Sequence, residues 1–179
     1  DSDLNTARKD TTGFGATYTS ALCAGGNVPP RKSETETWNG SSWTEVAEIN
    51  TARRGGAGIG NASASLVAGG IVTGVVAVNE SWNGSAWTEV GDLNAAKGNA
   101  AGAGTTTAGI VAGGALPSET GQTEIWNGSS WTEVADLNTV RAELAGAGTS
   151  TDSLAFGGYA PPGYLANTES WDGSSWTEV

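Results

Sequence analysis

The stretch WNGSSWTEV, Trp38–Val46, decides the fold because it recurs three times along the chain with at most one substitution per copy. The copies are Trp82–Val90, Trp126–Val134 and Trp171–Val179, and the second tryptophans of successive copies lie 44, 44 and 45 residues apart. A fixed period of this length indicates a repeat architecture. We therefore predict one domain over residues 1–179, made of four units with approximate bounds 3–47, 48–91, 92–135 and 136–179.

Each unit carries the signals of four short strands. A Gly-x-Gly segment is followed by an apolar run such as Ser65–Ala68, which ends in a Gly-Gly pair. Runs of this length are typical of buried strands and too short for helices. The WNGSSWTEV stretch then predicts a hairpin, because Asn-Gly between alternating residues favours a tight turn. Four strands per unit and almost no helix predict an all-β, four-bladed β-propeller with four antiparallel strands per blade.

The Gly-x-Gly segments also bear on how the ring closes. Segments such as Ala101–Gly104 contain only glycine and alanine, which suit the crowded hub of a narrow propeller. This composition favours closure by the four units themselves, with the N-terminal residues completing the edge of the last blade. The alternative is that this end joins another copy, which gives a filament or a swapped ring.

The order of elements resembles the kelch repeat over nearly the whole chain. That order is a basic residue, Gly-x-Gly, an apolar run, Gly-Gly, a variable loop, Glu-x-aromatic, a turn and Trp. The third-strand aromatic residue, usually Tyr in kelch proteins, is Trp here. The repeated phrase is also similar to kelch-like repeats in virion structural proteins of marine bacteriophages. The resemblance implies that the Gly-x-Gly strand is innermost and that the variable loops share a face with the turns of type Asp-Leu-Asn-Thr-Ala-Arg.

Two sets of repeated residues are expected to be structural. The tryptophans occupy two fixed positions per unit, which indicates packing between blades or across the hairpin rather than a sugar platform. They are Trp38, Trp43, Trp82, Trp87, Trp126, Trp131, Trp171 and Trp176. One basic and one acidic position per unit predict structural ion pairs at the blade junctions rather than substrate contacts. These residues are Arg8, Arg53, Lys97 and Arg141, and Glu36, Glu80, Glu124 and Glu169.

Composition excludes several classes of partner and chemistry. The net charge of -11 repels a phosphate backbone, so nucleic acid is not an expected partner. No apolar run is long enough to insert into a membrane. The single cysteine, Cys23, cannot form a disulfide within the chain and occupies a position where the other units have small apolar residues.

The residue types argue against catalysis. The chain has no histidine, so it has no Ser-His-Asp triad and no imidazole metal ligand. This absence also removes the copper site of galactose oxidase, which shares the kelch-type propeller. A glycosidase needs a pair of carboxylates, and such a pair should break the repeat, whereas acids such as Glu45 and Glu89 recur in every unit. We therefore expect no enzyme activity, no metal and no cofactor.

The variable loops after the Gly-Gly pairs are the candidate contact surface, because binding usually resides in loops on a rigid scaffold. They are Asn27–Ser33, Ile71–Val78, Ala115–Gln122 and Tyr159–Ala166. Ordinary loop drift without binding is the alternative interpretation. The candidate contact residues are Arg31, Lys32, Val75, Val76, Leu116, Tyr159 and Tyr164.

The functional expectation is a noncatalytic β-propeller, extracellular or associated with a virion, that serves adhesion or structural assembly. Its variable loops would bind a protein or a glycan. One alternative is a polymerising filament subunit whose copies join through their termini. A weaker alternative is an intracellular kelch-type adaptor.

Overall fold

The computed structural model describes residues 2–179 and is all-β in that range. Four antiparallel sheets of four strands are arranged as a four-bladed β-propeller, so the predicted fold class is confirmed. Each sheet follows the chain order, with one sheet per repeat unit. Within residues 2–179 there is no helix of the length and apolarity that crossing a bilayer requires.

The strands of the four blades have the following bounds. Blade 1 contains β1 (Thr12–Thr17), β2 (Ser20–Asn27), β3 (Arg31–Trp38) and β4 (Trp43–Val46). Blade 2 contains β5 (Ala57–Gly60), β6 (Ser65–Ala68), β7 (Asn79–Trp82) and β8 (Trp87–Val90). Blade 3 contains β9 (Ala101–Thr105), β10 (Ala108–Ala112), the loop hairpin β11 (Ala115–Leu116) and β12 (Ser118–Glu119), β13 (Thr123–Trp126) and β14 (Trp131–Val134). Blade 4 contains β15 (Ala145–Gly148), β16 (Ser153–Phe156), the loop hairpin β17 (Tyr159–Ala160) and β18 (Gly163–Tyr164), β19 (Thr168–Trp171) and β20 (Trp176–Glu178).

The Gly-x-Gly strands β1, β5, β9 and β15 are innermost and line an axial cavity of about 310 Å³. Glycine is required there because neighbouring inner strands approach closely. A Cβ atom on Gly102 would lie 2.5 Å from the carbonyl oxygen of Gly58, and one on Gly58 would lie 2.9 Å from that of Gly13. The small residues of these segments therefore set the width of the hub.

Apolar side chains fill the junctions between consecutive blades. Phe14 and Leu22 of blade 1 pack with Trp82 and Trp87 of blade 2, and the same arrangement recurs between blades 2 and 3 and between blades 3 and 4. The rings of Trp82 and Trp87 are 5.3 Å apart across the hairpin. In blades 2, 3 and 4, the tryptophan pair thus belongs to the core of the junction with the preceding blade.

Each repeated basic residue pairs with the repeated glutamate of its own unit, and all four pairs are buried. Arg8 pairs with Glu36, and the backbone and side-chain amides of Asn5 donate to the same carboxylate at 2.7 and 2.8 Å. Burial raises the pKa of Glu36, but the Asn5 hydrogen bonds and the Arg8 guanidinium outweigh it and lower the pKa. These bonds offset the desolvation cost of the buried charges. The other three pairs are Arg53–Glu80, Lys97–Glu124 and Arg141–Glu169.

The junction between blade 4 and blade 1 differs from the other three. Leu154 and Phe156 of blade 4 are 42% and 40% exposed, whereas the equivalent Ile110 and Ala112 of blade 3 are 3% and 2% exposed. On blade 1, Trp38 and Trp43 are only half-buried. The expectation that the four units close the ring by themselves is therefore wrong at this junction, which we call the open junction.

Two backbone observations agree with this assignment. A Cβ atom on Gly13 would meet nothing within 4 Å, although the equivalent glycines of the other three blades face an inner strand of the preceding blade. Residues 2–11 also do not extend the sheet of blade 4, whose strand order is β15-β16-β19-β20. Asn5 instead contacts Glu36 of blade 1, since each such connection packs on the blade that follows it.

Candidate binding face

The variable loops lie on the same face of the propeller as the connections between blades, as the kelch resemblance implies. Each loop begins with a residue that forms a β-bridge to the connection preceding its blade. In blade 4, Tyr159 N donates to Ala142 O at 2.7 Å and Ala142 N donates to Tyr159 O at 2.9 Å. Equivalent bridges are Lys9–Asn27, Arg54–Ile71 and Gly98–Ala115. We call this surface, formed by residues 27–33, 71–78, 115–122 and 159–166 with the connections, the loop face.

The loop of blade 4 presents the largest exposed ring of the loop face. Tyr159 and Tyr164 are opposite each other in the β17–β18 hairpin, with ring centroids 5.5 Å apart in an edge-to-face arrangement. Tyr159 is half-buried and Tyr164 is 84% exposed. The first ring therefore supports the second, and the second is free to contact a ligand.

The basic candidates of blade 1 are less available than the sequence suggests. Arg31 and Lys32 are half-buried at the start of β3, and Lys32 Nζ lies 2.9 Å from Glu34 Oε1. Burial raises the pKa of Glu34, but the hydrogen bond and the charge of Lys32, together with hydrogen bonds from the backbone of residues 33 and 34, outweigh it and lower the pKa. The charge of Lys32 is thus already matched within its own strand.

The apolar candidates do not form an open patch. Val75 and Val76 are half-buried because their segment folds back, with a bridge from Ile71 to Val75 and a hydrogen bond from Val76 N to Gly70 O at 2.9 Å. Thr73 and Gly74 are exposed at the tip. The backbone of Leu116 lies in β11, and its side chain is outside the described part of the structure.

The centre of the loop face is a polar cavity that the sequence analysis did not identify. This cavity, which we call the axial mouth, has a volume of about 360 Å³ and is lined by Asp10, Arg54, Asn99 and Glu143 among others. Arg54 Nη1 lies 3.1 Å from Asp10 Oδ2, and both side chains are about one-third exposed. The mouth therefore presents two carboxylates, an amide and a guanidinium to solvent.

A chain of backbone hydrogen bonds fixes the mouth residues. Gly55 N donates to Asp10 O at 3.0 Å, Asn99 N to Gly55 O at 2.7 Å, and Glu143 N to Asn99 O at 2.8 Å. All four residues have left-handed φ angles, between 55° and 62°. Residues other than glycine rarely adopt this backbone conformation, which costs them about 1–3 kcal/mol each. Three of the four units thus maintain a strained residue with a polar side chain at the mouth.

One signal in the sequence could have found these residues. The position two residues after each repeated basic residue is Asp10, Gly55, Asn99 or Glu143, so it varies within an otherwise repeated segment. Asp10 and Glu143 are also acids that break the repeat, unlike the recurring acids Glu45 and Glu89 that were weighed for a glycosidase pair. The structure brings Asp10 and Glu143 to the axial mouth, although Asp10 is already paired with Arg54.

The chain matches no protein-family model and no curated protein. The resemblance to kelch-like repeats therefore stays a prediction.

Proposed function

We propose that this propeller is a noncatalytic binding module of an extracellular or virion-associated protein, and that its loop face attaches to a glycan or a protein in adhesion or structural assembly. The assignment to an extracellular protein or a virion follows from the sequence resemblance. The proposal that it binds a ligand is supported by the nonrepeating residues of the loop face.

The observation that carries the proposal is the convergence of nonrepeating residues on one face. The variable loops begin directly beside the mouth: Lys9, which bridges to the first loop, precedes Asp10, and Ala142, which bridges to the fourth, precedes Glu143. The opposite face carries the repeated Asn-Gly and Asp-Gly turns. The short turns of the β1–β2 type on that face also differ between units, but the longest variable segments lie on the loop face. Variable loops concentrated on one face of a rigid repeat scaffold are the usual arrangement of a binding surface.

The chemistry of the axial mouth favours a glycan over a protein. A cavity of about 360 Å³ is the size of a small-ligand site, not of a protein interface. Carboxylates and the Asn99 carbonyl accept hydrogen bonds from hydroxyl groups, and the Arg54 guanidinium donates them. The exposed ring of Tyr164 adds an amphipathic surface of the kind enriched in binding sites.

A glycan array probed with the whole chain tests this proposal. We expect binding to a restricted set of glycans that falls at least tenfold for Tyr164→Ala and for Asn99→Gly, which keeps the left-handed backbone. Tyr18→Ala is the matched control, because Tyr18 is 92% exposed in the β1–β2 turn of the opposite face. Equal losses for Tyr18→Ala and Tyr164→Ala would reject the loop face.

The same experiment separates binding from hydrolysis and a glycan from a protein. Recovery of the bound glycan at its original length supports a noncatalytic role, whereas cleavage that depends on Asp10 and Glu143 would make the mouth an active site. Absence of binding to any glycan would reject the glycan assignment and favour a protein ligand.

A polymerising subunit is the second candidate function. The observation that favours it is the exposure of Leu154 and Phe156 at the open junction, where the other blades bury equivalent residues.

A further inference from the structure

We propose that the open junction is a head-to-tail interface in which the blade 4 face of one copy binds the blade 1 face of a second copy. The blade 4 face consists of Ala145, Ala147, Leu154 and Phe156, and the blade 1 face of Leu4, Trp38 and Trp43. The interface is separate from the loop face and does not depend on its ligand.

The blade 4 face is chemically equivalent to surfaces that the chain buries three times. In blade 3 the corresponding residues are Ala101, Ala103, Ile110 and Ala112, which are at most 8% exposed beneath Trp171 and Trp176 of blade 4. On blade 4, Ala145 and Ala147 are exposed, as are Leu154 and Phe156. Phe156 replaces the alanine of the other blades, so this uncovered face is more apolar than its buried counterparts.

The blade 1 face is the complementary half. Trp38 and Trp43 have the same hairpin geometry as the buried pairs, with ring centroids 5.6 Å apart. Leu4 occupies the position of Ile49, which packs with Trp82 and Trp87 at the junction of blades 1 and 2. The Nε1 of Trp43 has no hydrogen-bond partner within residues 2–179, whereas its equivalents Trp87, Trp131 and Trp176 each donate to the preceding blade.

The partner that fits both faces is a second copy of the chain. At each of the three internal junctions, a face like that of blade 4 packs against a face like that of blade 1. The blade 4 face of one copy and the blade 1 face of another can therefore form a junction of the same type. Docking would cover the surface of Trp38, Trp43 and Phe156 that their own blades leave exposed, as the three internal junctions do for the equivalent residues.

The charges at the junction permit this contact. The ion pair between Arg8 and Glu36 is fully buried within blade 1, so docking leaves neither charge without a partner. The contact joins different surfaces of the two copies and is therefore heterologous. It produces a closed ring where the rotation between copies closes and a filament where it does not.

Measurement of molar mass by sedimentation over a range of concentrations tests the proposal. We expect species heavier than the 17.9 kDa chain, whether ring or filament. The double variant Leu154→Arg/Phe156→Arg and the single variant Trp43→Glu should each reduce the mass to that of one chain. Val140→Arg is the control, because Val140 is 52% exposed on the connection between blades 3 and 4.

Mixing the two defective variants provides the decisive measurement. Each retains one intact face, so an equimolar mixture should form a dimer of about twice 17.9 kDa and stop there. This complementation also proves that both variants are folded. A wild-type chain that stays at 17.9 kDa at every concentration overturns the proposal, and so does a mixture that stays monomeric although the wild type associates.

Closure within one molecule is a further outcome that overturns the proposal. It would give a monomer in which Trp38 and Trp43 are protected from acrylamide quenching to the same degree as the other six tryptophans. A change in glycan binding without a change in mass would concern the loop face alone, so failure of either proposal can be recognised separately.

Discussion

Trp87 Nε1 of blade 2 donates a hydrogen bond to Thr35 Oγ1 of blade 1 at 3.2 Å, and both residues are buried. Trp176 makes the same bond to Thr123 from blade 4 to blade 3 at 3.1 Å. Trp131 donates instead to Gly91 O at 3.1 Å, because blade 2 has Asn79 where the others have threonine. Each of the three closed junctions thus provides an acceptor for an indole N–H that burial would otherwise leave without a partner.

Thr35→Val should destabilise the fold by about 1–3 kcal/mol, since valine keeps the shape of threonine but leaves the Trp87 N–H buried and unpaired. Urea unfolding monitored by circular dichroism measures the change. Thr168→Val is the matched control, because Thr168 is the equivalent residue of blade 4 and no tryptophan donates to it in the described structure.

Both substitutions are measured in the Leu154→Arg/Phe156→Arg background, where self-association through the open junction is not expected. Thr168→Val should change stability there by less than about 0.5 kcal/mol, because Thr168 is only half-buried and no indole N–H loses its acceptor. A loss equal to that of Thr35→Val would mean that Trp43 reaches Thr168 and that the ring is closed.

Gly102→Ala should cost about 1–3 kcal/mol or more, because the added methyl group would lie 2.5 Å from the carbonyl oxygen of Gly58 and force the inner strands apart. Gly13→Ala, at the equivalent position of blade 1, adds a methyl group with no neighbour within 4 Å. In the same monomeric background it should leave stability within about 1 kcal/mol of the parent or raise it slightly. Comparable losses for the two variants would contradict the open junction.

Residues whose side chains recur in every unit could be placed from the sequence. Residues that share only a backbone conformation could not. Trp82 and Glu80 could be assigned structural positions because each recurs at a fixed period and only one environment fits all copies. The axial mouth could not be found in this way, since Asp10 and Asn99 share a left-handed φ and a backbone hydrogen bond but no side-chain chemistry. Those shared features appear only in three dimensions.

The open junction was equally inaccessible to the sequence. Leu154 fits the same pattern as Ile110, because a repeat encodes both halves of an interface in every unit. Whether the first and last halves meet depends on the rotation from blade to blade, which is set by packing across the junctions. The small residues of Ala101–Gly104 indicate a narrow hub, but they do not determine the rotation between blades. They therefore could not predict whether blade 4 reaches blade 1.

Glu80→Gln should destabilise the protein by about 3 kcal/mol or more, because it removes one partner of a buried ion pair and leaves the guanidinium of Arg53 without a counter-charge. The carboxylate also accepts bonds from the backbone and side-chain amides of Asn50 at 2.6 and 2.7 Å. Glu89→Gln is the control, since Glu89 is exposed opposite Glu80 on β8. Similar free energies of unfolding for both variants would show that the pair is structurally dispensable.

The pKa of Asp172 should lie well below the ordinary value of an aspartate. Its Oδ1 accepts hydrogen bonds from Ser175 N, Ser174 Oγ and Ser174 N, each at 2.8 Å. These bonds, led by the backbone N–H of Ser175, lower the pKa of Asp172 from 3.8 to about 2. The carboxylate therefore contributes stability that is fully present above pH 3.8 and is lost as the pH falls towards 2.

Asp172→Asn separates this contribution from the turn geometry, because asparagine occupies the position in the other three units. Asn127 Oδ1 accepts the equivalent bonds from Ser129 N and Ser130 N at 2.9 and 3.0 Å, so the variant should fold with the same turn. The difference in unfolding free energy between wild type and variant should be constant at neutral pH and shift against the wild type only below pH 3.8. A titration of the Asp172 side-chain carbon by NMR measures the cause directly, and a midpoint near 3.8 would refute it, since an unperturbed carboxylate cannot be favoured by three donated bonds.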